Sequence, residues 1–241
     1  MAIGGIPYYL DKVQRGKSVA QNIDTLCFEK DGFLKDEFDR LFVSLFDNSE
    51  RHIRIVKTLA KKRKGITRKE LIAANGISNG GDLSLKLEEL IESGFVSIHI
   101  FRDHKKQNAL YRLSDEYSLF YLKFIENNKN SGKGTWLKLH TSRSYSSWAG
   151  FSFESLCLKH INQIKNALGI LAVHTLSNSW FNEKAQIDVL IEREDNTINI
   201  CEMKFSETPF TITKSYYDNL LNKKQQFLMD TKAEKTYSLP W

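Results

Sequence analysis

The sequence predicts an α/β fold of the α+β class, with helices in the first half of the chain and a small sheet between helices in its last third. Two observations lead to this prediction. Before residue 126, most apolar residues recur at the three- and four-residue spacing of helices that bury one face. After residue 185, two runs alternate at period two, as β-strands do. The 241 residues, 41% of them apolar, suffice for one large domain or two small ones.

Composition excludes several classes of protein. No apolar run reaches the ~18 residues that cross a bilayer, and residues 1–10 lack the basic start and apolar stretch of a secretory signal. The three cysteines, Cys27, Cys157 and Cys201, are odd in number and far apart, which excludes a disulfide scaffold and a Cys-x-x-Cys metal site. We therefore expect a cytoplasmic protein that is not associated with a membrane.

Residues 1–48 predict a helical, acidic segment. Gly4, Gly5 and Pro7 punctuate its start. A helical stripe follows, formed by Phe38, Leu41, Phe42, Leu45 and Phe46. The segment is too short to bury a rich core alone, so we expect it to dock on another part of the molecule.

Residues 49–126 predict a winged helix-turn-helix domain. Three helical stretches precede two strand-like runs, and a polar, basic loop at 102–108 separates the runs. The second helix has a strong start signal, because Thr67 is a good N-cap and Glu70 completes a capping box. Gly94 ends the third helix. In a winged helix-turn-helix, the third helix can enter the major groove of DNA while the wing touches the backbone.

Positive charge is concentrated at the start of this domain. Residues 51–70 carry nine Lys or Arg against Glu70 alone, whereas residues 1–50 carry six against nine Asp or Glu. Local basicity of this kind is typical of a nucleic-acid-binding segment. A solvated basic helix face is the alternative, and the acidic end of the third helix favours a winged helix that serves only packing or protein contacts. The residues expected to contact double-stranded DNA are Lys61, Lys62, Arg63, Lys64, Arg68, Lys69, Ser78, Asn79, Ser84, Lys86, Lys105 and Lys106.

Residues 127–150 predict a polar, flexible linker. Within it, residues 131–135 resemble part of a phosphate-binding loop. The pattern fails because Asn127 stands where the first glycine belongs and Gly134 stands where the magnesium-binding hydroxyl belongs. We therefore expect no ATPase activity from this chain alone.

Residues 151–241 predict a separate domain with the order helix (151–168), three strands (171–175, 185–192 and 197–205), helix (214–230) and strand (235–239). On the first helix, Glu154 lies on the apolar side, where a carboxylate is costly unless it is paired or metal-bound.

Two acidic residues interrupt the apolar strands of this domain. Asp188 lies within one strand, and Glu202 and Lys204 share one face of the next because alternate residues do. If the hairpin turns about residue 195, Asp188 lies opposite Glu202, with the carboxylates roughly 5 Å apart. Their mutual repulsion favours a bound Mg²⁺. The alternative is a cross-strand ion pair of Asp188 or Glu202 with Lys204 on a solvated sheet face.

These residues resemble a known set. Asp188, Glu202 and Lys204, after a helix that carries Glu154, resemble the PD-(D/E)xK nuclease superfamily. The whole chain resembles the C-terminal half of archaeal-type P-loop ATPases, in which a lid segment, a winged helix and a nuclease-like domain of unknown function follow one another. Gly-Gly-Ile-Pro-Tyr-Tyr-Leu at residues 4–10 matches the lid, and Cys-Glu-Met-Lys-Phe-Ser at 201–206 matches the nuclease-like core.

The resemblance implies roles for four residues. Asp188 and Glu202 would be metal ligands, Glu154 a second-metal or supporting ligand, and Lys204 the catalytic lysine, with Mg²⁺ or Mn²⁺ as cofactor. One departure is Ile187, which stands where many superfamily members have proline. The other is the absence of the ATPase core, so the chain resembles a truncated or separately encoded half.

The leading hypothesis is a DNA-binding protein with a Mg²⁺-dependent phosphodiesterase domain of the nuclease-like type. The first alternative is a non-catalytic DNA-binding or regulatory half of a P-loop ATPase, whose partner is a separate ATPase chain or a missing N-terminal ATPase domain. The second alternative is a protein-interaction module.

Overall fold

The computed structural model describes residues 1–75, 80–99, 109–128, 132–231 and 236–238. The chain forms two compact units. The first contains Met1–His99 and Ala109–Ser152, and the second contains Phe153–Trp241. Both combine helices with a small sheet, which confirms the predicted α+β class.

The first unit begins with three helices, α1 (Pro7–Leu10), α2 (Val19–Cys27) and α3 (Glu37–Leu45). The aromatic stripe of α3 is buried as expected. The Phe38 ring stacks on Tyr121 with centroids 4.5 Å apart, and the Phe42 ring lies 4.7 Å from that of Phe95. The acidic N-terminal segment therefore docks on later parts of the same unit, because its own helices cannot cover these rings.

The next six elements combine three helices with a three-stranded sheet, in the order that the sequence analysis predicts for a winged helix-turn-helix. They are α4 (Glu50–Lys61), β1 (Ile66–Thr67), α5 (Arg68–Asn75), α6 (Gly81–Glu92), β2 (Val96–His99) and β3 (Leu110–Leu113), and the antiparallel sheet has the order β1-β3-β2. The three helices meet through buried aliphatic side chains: Ile55, Leu59, Leu71, Leu83, Leu87 and Leu90. Gly65 precedes β1 at φ +89°, where a Cβ atom would lie 2.9 Å from the Tyr111 carbonyl oxygen. The predicted DNA contacts Ser78, Asn79, Lys105 and Lys106 lie outside the described residues.

A helical stretch follows β3, comprising α7 (Glu116–Phe120), a π-helical turn (Tyr121–Ile125) and a short 3₁₀ turn (Glu126–Asn128). The segment that the sequence predicts as a flexible linker then contains α8 (Thr135–Leu139) and the start of α9 (Arg143–Lys159).

Two features explain why that segment is folded. The buried carboxylate of Asp24 accepts hydrogen bonds from the backbone N–H groups of Gly134 and Trp136, at 2.5 and 2.6 Å, and so caps α8. The indole rings of Trp136 and Trp148 are buried against Phe120 and Phe124. The polar composition around these tryptophans predicted a linker, but the two rings supply enough apolar surface for a packed helical segment.

The second unit contains the end of α9, α10 (Ile161–Ala167), β4 (Thr175–Phe181), β5 (Gln186–Arg193), β6 (Thr197–Cys201), α11 (Lys214–Thr231) and β7 (Thr236–Ser238). The sheet has the order β4-β5-β6-β7 and is antiparallel except for β7, which runs parallel to β6. The predicted succession of helix, three strands, helix and strand is confirmed, but β4 follows the predicted 171–175 and β6 ends four residues before the predicted end.

Both faces of this sheet carry buried apolar residues. One face packs Trp180, Ile187, Leu190, Ile198 and Ile200 against Phe227 of α11. The other buries Val189, Ile191 and Cys201 beside Leu158 and Ile161 of α9 and α10. Burial on both faces explains why β5 is apolar almost throughout.

Candidate functional site

Asp188 and Glu202 come together at one end of the β5–β6 hairpin. The ladder pairs Val189 with Cys201 and Leu190 with Ile200, which is the register predicted from a turn about residue 195. Continuing this register by one residue brings Asp188 opposite Glu202, the first residue after β6. The hairpin therefore aligns the two acids at the point where strand pairing stops.

Glu202 is largely buried and has one engaged oxygen. Its Oε2 atom lies 2.6 Å from the Lys223 ammonium of α11, and this ion pair is mostly withdrawn from solvent. Its Oε1 atom is buried and has no hydrogen-bond partner in the part of the chain that the structure describes. Burial raises the pKa of Glu202 above its usual value, the Asp188 charge raises it further, and Lys223 partly opposes both effects.

Asp188 is fixed by hydrogen bonds at both its side chain and its backbone. Its Oδ2 atom accepts the Met203 backbone N–H at 2.9 Å, and its carbonyl oxygen accepts the Ser179 hydroxyl at 2.7 Å. The Asp188 side chain thus holds the segment that immediately follows Glu202. This bond fixes the alignment of β5, which carries Asp188, with the segment after β6, which carries Glu202.

The negative charges of the two acids contribute to raised pKa values of groups on both flanking helices. Burial raises the pKa of the Tyr216 phenol of α11, and the charges of Glu202 and Asp188 raise it further. Burial also raises the pKa of the Cys157 thiol of α9, with further contributions from Glu154 and Asp188. Glu154 is half-buried on α9, one turn before Cys157.

Lys204 is exposed and makes no ion pair or hydrogen bond within the described residues. Strand alternation, which predicts Glu202 and Lys204 on one face, does not extend to residue 204 because β6 ends at Cys201. The cation beside Glu202 is Lys223, which sequence reasoning missed because it lies 21 residues away on another element. The cross-strand pair with Lys204 that the alternative interpretation expects is not formed among the described residues, and Glu202 pairs instead with Lys223 of α11.

The donor set fits a hard cation only in part. Within the described ranges, no group of three or more His, Cys, Asp and Glu side chains could hold a metal. Mg²⁺, however, often takes one or two carboxylates and completes its shell with waters and substrate phosphates. The unpartnered Oε1 atom of Glu202 is a suitable ligand atom beside Asp188. The residues present therefore offer two carboxylates to one Mg²⁺ or Mn²⁺, and the rest of its shell would come from water and substrate.

Five of the predicted DNA contacts in the first unit make hydrogen bonds within it. Lys62 pairs with Glu70 at 2.9 Å, and Lys86 with Glu89 at 3.0 Å. The Arg68 guanidinium donates to the Ser84 hydroxyl at 2.9 Å, which engages two predicted contacts with each other. Arg63 donates to the Ser147 carbonyl oxygen at 3.2 Å.

Three other cations, Lys61, Lys64 and Lys69, are exposed and have neither a hydrogen bond nor an ion pair among the described residues. The sequence predicted that the basic stretch contacts DNA or forms a solvated face. These three lysines are the members of the stretch whose side chains are available for either role.

No helix of the described residues is long and apolar enough to cross a membrane.

Comparison with known proteins finds a similarity for one part of the chain. The curated proteins and the solved structures gave no match. Residues 121–224, which include Asp188, Glu202 and Lys223, are similar to a protein family described as archaea bacterial proteins of unknown function, DUF234.

Proposed function

We propose that the protein binds duplex DNA and that Asp188 and Glu202 form a Mg²⁺- or Mn²⁺-dependent phosphodiesterase site. The observation that carries the proposal is the alignment of the two acids at the end of the β5–β6 ladder, with one buried Glu202 oxygen left without a partner in the described part of the chain. Two facing carboxylates repel each other, and a divalent cation relieves that repulsion.

Each side chain has a distinct part in this proposal. Asp188 and Glu202 hold the ion, and the Met203 N–H fixes the Asp188 carboxylate. Lys223 orients Glu202 through their ion pair. Lys204, exposed beside the site, is available to a substrate phosphate, where its charge stabilises developing negative charge. A bound Mg²⁺ supplies Lewis-acid activation of a phosphoryl oxygen and a water of lowered pKa.

DNA binding rests on the winged helix-turn-helix and its unpaired lysines. The fold presents α6 in the order in which such domains present a recognition helix. Lys61, Lys64 and Lys69 precede it in the chain, from the end of α4 to the start of α5, and are exposed and without ionic partners in the described part of the chain. Exposed cations of this kind neutralise phosphates, and these contacts contribute strongly to affinity for DNA.

The test is calorimetric titration of Mg²⁺ and Mn²⁺ into the wild type, Asp188→Asn and Glu202→Gln, followed by a DNA-cleavage assay. The amide of Asp188→Asn keeps an oxygen that can accept the Met203 N–H, so the fold should survive. Glu183→Gln is the matched control, because Glu183 is an exposed carboxylate in the β4–β5 turn. The proposal expects binding in the wild type and control, with loss in both site variants. Equal binding in all four proteins would overturn it.

A second candidate is a non-catalytic DNA-binding half of a P-loop ATPase. The observation that favours it is the Glu202–Lys223 pair, which already neutralises one acid without a metal. This candidate predicts no cleavage of DNA and co-purification with a P-loop protein. DNA cleavage that Glu202→Gln abolishes and Glu183→Gln leaves unchanged would exclude it.

A further inference from the structure

A cleft of about 370 Å³ lies within the first unit, between α4, the helical stretch after β3 and α9. We propose that this cleft binds the phosphate group of a phosphate ester. It is lined by Lys57, Ala60, Lys61, Arg63, Leu119, Leu122, Lys123, Glu126, Asn127 and Trp148. The inference does not depend on the carboxylate site of the second unit.

The cleft carries an excess of positive charge. Four cations line it against a single carboxylate, Glu126, which pairs with Lys57 at 2.6 Å. Lys61, Arg63 and Lys123 have no carboxylate partner among the described residues. Positive charges around a cleft focus the electrostatic field within it and so raise the local concentration of anions.

Arg63 is held in position without an acid. Its guanidinium donates to the Ser147 carbonyl oxygen and hydroxyl, at 3.2 and 3.3 Å, and lies 4.7 Å from the centre of the Phe151 ring. Burial lowers its pKa below the usual value, since part of its hydration is lost. An anion in the cleft would compensate this charge, and a guanidinium that is already fixed loses little ordering entropy when it binds one.

Trp148 supplies an independent observation. Its side chain is only 5% exposed, and its indole N–H is buried without a hydrogen-bond partner in the described part of the chain. A buried donor that lacks a partner is costly, and a ligand oxygen at the cleft would satisfy it. Donor and cations together favour an oxygen-rich anion.

The apolar wall and the volume define the rest of the ligand. Ala60, Leu119 and Leu122 line the cleft beside the cations, so an organic group attached to the phosphate gains contact that inorganic phosphate cannot. The volume lies near the lower end of the roughly 300–1,000 Å³ typical of small-molecule sites. A mononucleotide and one nucleotide of a nucleic-acid strand share this chemistry.

The experiment measures binding of adenosine monophosphate, inorganic phosphate and a short single-stranded oligonucleotide by calorimetry at low salt. The variants are Lys123→Gln and Arg63→Gln. Lys138→Gln is the matched control, because Lys138 is an exposed lysine of α8 that does not line the cleft. Loss of a charge-assisted hydrogen bond should weaken binding about tenfold or more in each variant, whereas the control should bind as the wild type does.

The two phosphate sources give different results. Tighter binding of adenosine monophosphate than of phosphate, weakened by Lys123→Gln, supports a free phosphate ester. Binding of the oligonucleotide alone, with the same sensitivity, supports a strand phosphate. Absence of binding, or equal weakening by Lys138→Gln, overturns the proposal. Lys123 is exposed, so its variant should remain folded even if Arg63→Gln does not, and Asp188→Asn should leave this binding unchanged.

Discussion

At the scale of single residues, the ion pair between Glu202 and Lys223 would compete with a cation for the proposed carboxylate site. A divalent ion has to share Glu202 with an ammonium group 2.6 Å away, which repels it. Lys223→Met should therefore strengthen Mn²⁺ binding several-fold. Without metal, it should lower the free energy of unfolding by about 1–3 kcal/mol, since a largely buried carboxylate loses its partner. Calorimetric titration and chemical denaturation measure the two effects.

Lys204→Met is the control for stability. Lys204 is exposed and has no partner in the described ranges, so its removal should change the free energy of unfolding by no more than about 0.5 kcal/mol. Weaker Mn²⁺ binding in Lys223→Met would contradict the competition, and would mean that Lys223 supports the metal site by holding Glu202 in place.

His99 in β2 should make the first unit sensitive to acid. Burial, with a smaller effect of Arg112, lowers the pKa of His99 to about 4, whereas in the unfolded chain it titrates near 6.5. Between these values the unfolded state binds more protons. The stabilising contribution of neutral His99 is therefore fully present above pH 6.5 and is lost as the pH drops towards 4. The loss amounts to at most about 3 kcal/mol.

Denaturation of the wild type and His99→Gln at pH 7 and pH 4.5 measures this effect. The difference in the free energy of unfolding between the two pH values should be smaller in the variant than in the wild type. It should not vanish, because burial also lowers the pKa of His52. His160→Gln, which removes an exposed histidine after α9, should behave as the wild type. An undiminished difference in His99→Gln would contradict the prediction.

At the scale of elements, the start of α5 depends on a reciprocal cap. The Thr67 hydroxyl accepts the Glu70 N–H at 3.2 Å, and the Glu70 carboxylate accepts the Thr67 N–H at 2.8 Å. Thr67→Ala should lower the free energy of unfolding by about 1 kcal/mol, because the Glu70 N–H loses its acceptor and the Glu70 carboxylate loses the hydroxyl that donates to it. Thr67→Ser keeps the hydroxyl and should retain most of that stability. Equal denaturation midpoints for the two variants would contradict this role.

Elements with strong local signals were predicted well, and those fixed by packing were not. The cap at Thr67 and the apolar run of β5 depend only on residues that are close together in the sequence. The start of β4 was misplaced because its own residues are largely polar and exposed, whereas the run that precedes it, 171–173, is apolar. The helix α8 was missed because its cap, Asp24, lies more than a hundred residues earlier in the chain.

At the scale of the whole molecule, the same distinction applies to the candidate site. The alignment of Asp188 with Glu202 follows from counting residues about one turn, which needs no knowledge of the fold. The positions of Lys223 and Tyr216 depend on how α11 packs against the sheet through Phe227, and no local pattern encodes that. Sequence reasoning could thus find the acids but not the cation that faces them.

The proposed separation of functions between the units makes a final prediction. DNA contact is assigned to Lys61, Lys64 and Lys69 in the first unit, and metal chemistry to Asp188 in the second. Each phosphate neutralised contributes about 0.9 to the slope of log affinity against log salt. Changing the three lysines to Gln should therefore reduce the slope by up to about three and weaken binding of unrelated duplexes alike.

The matched control changes three exposed lysines elsewhere in the first unit: Lys30, Lys133 and Lys138. Fluorescence anisotropy across a salt series measures the slopes. A smaller slope in the first triple variant alone, with Asp188→Asn unchanged, assigns DNA binding to the basic stretch, whereas equal reductions in both triple variants would mean that net charge alone attracts DNA.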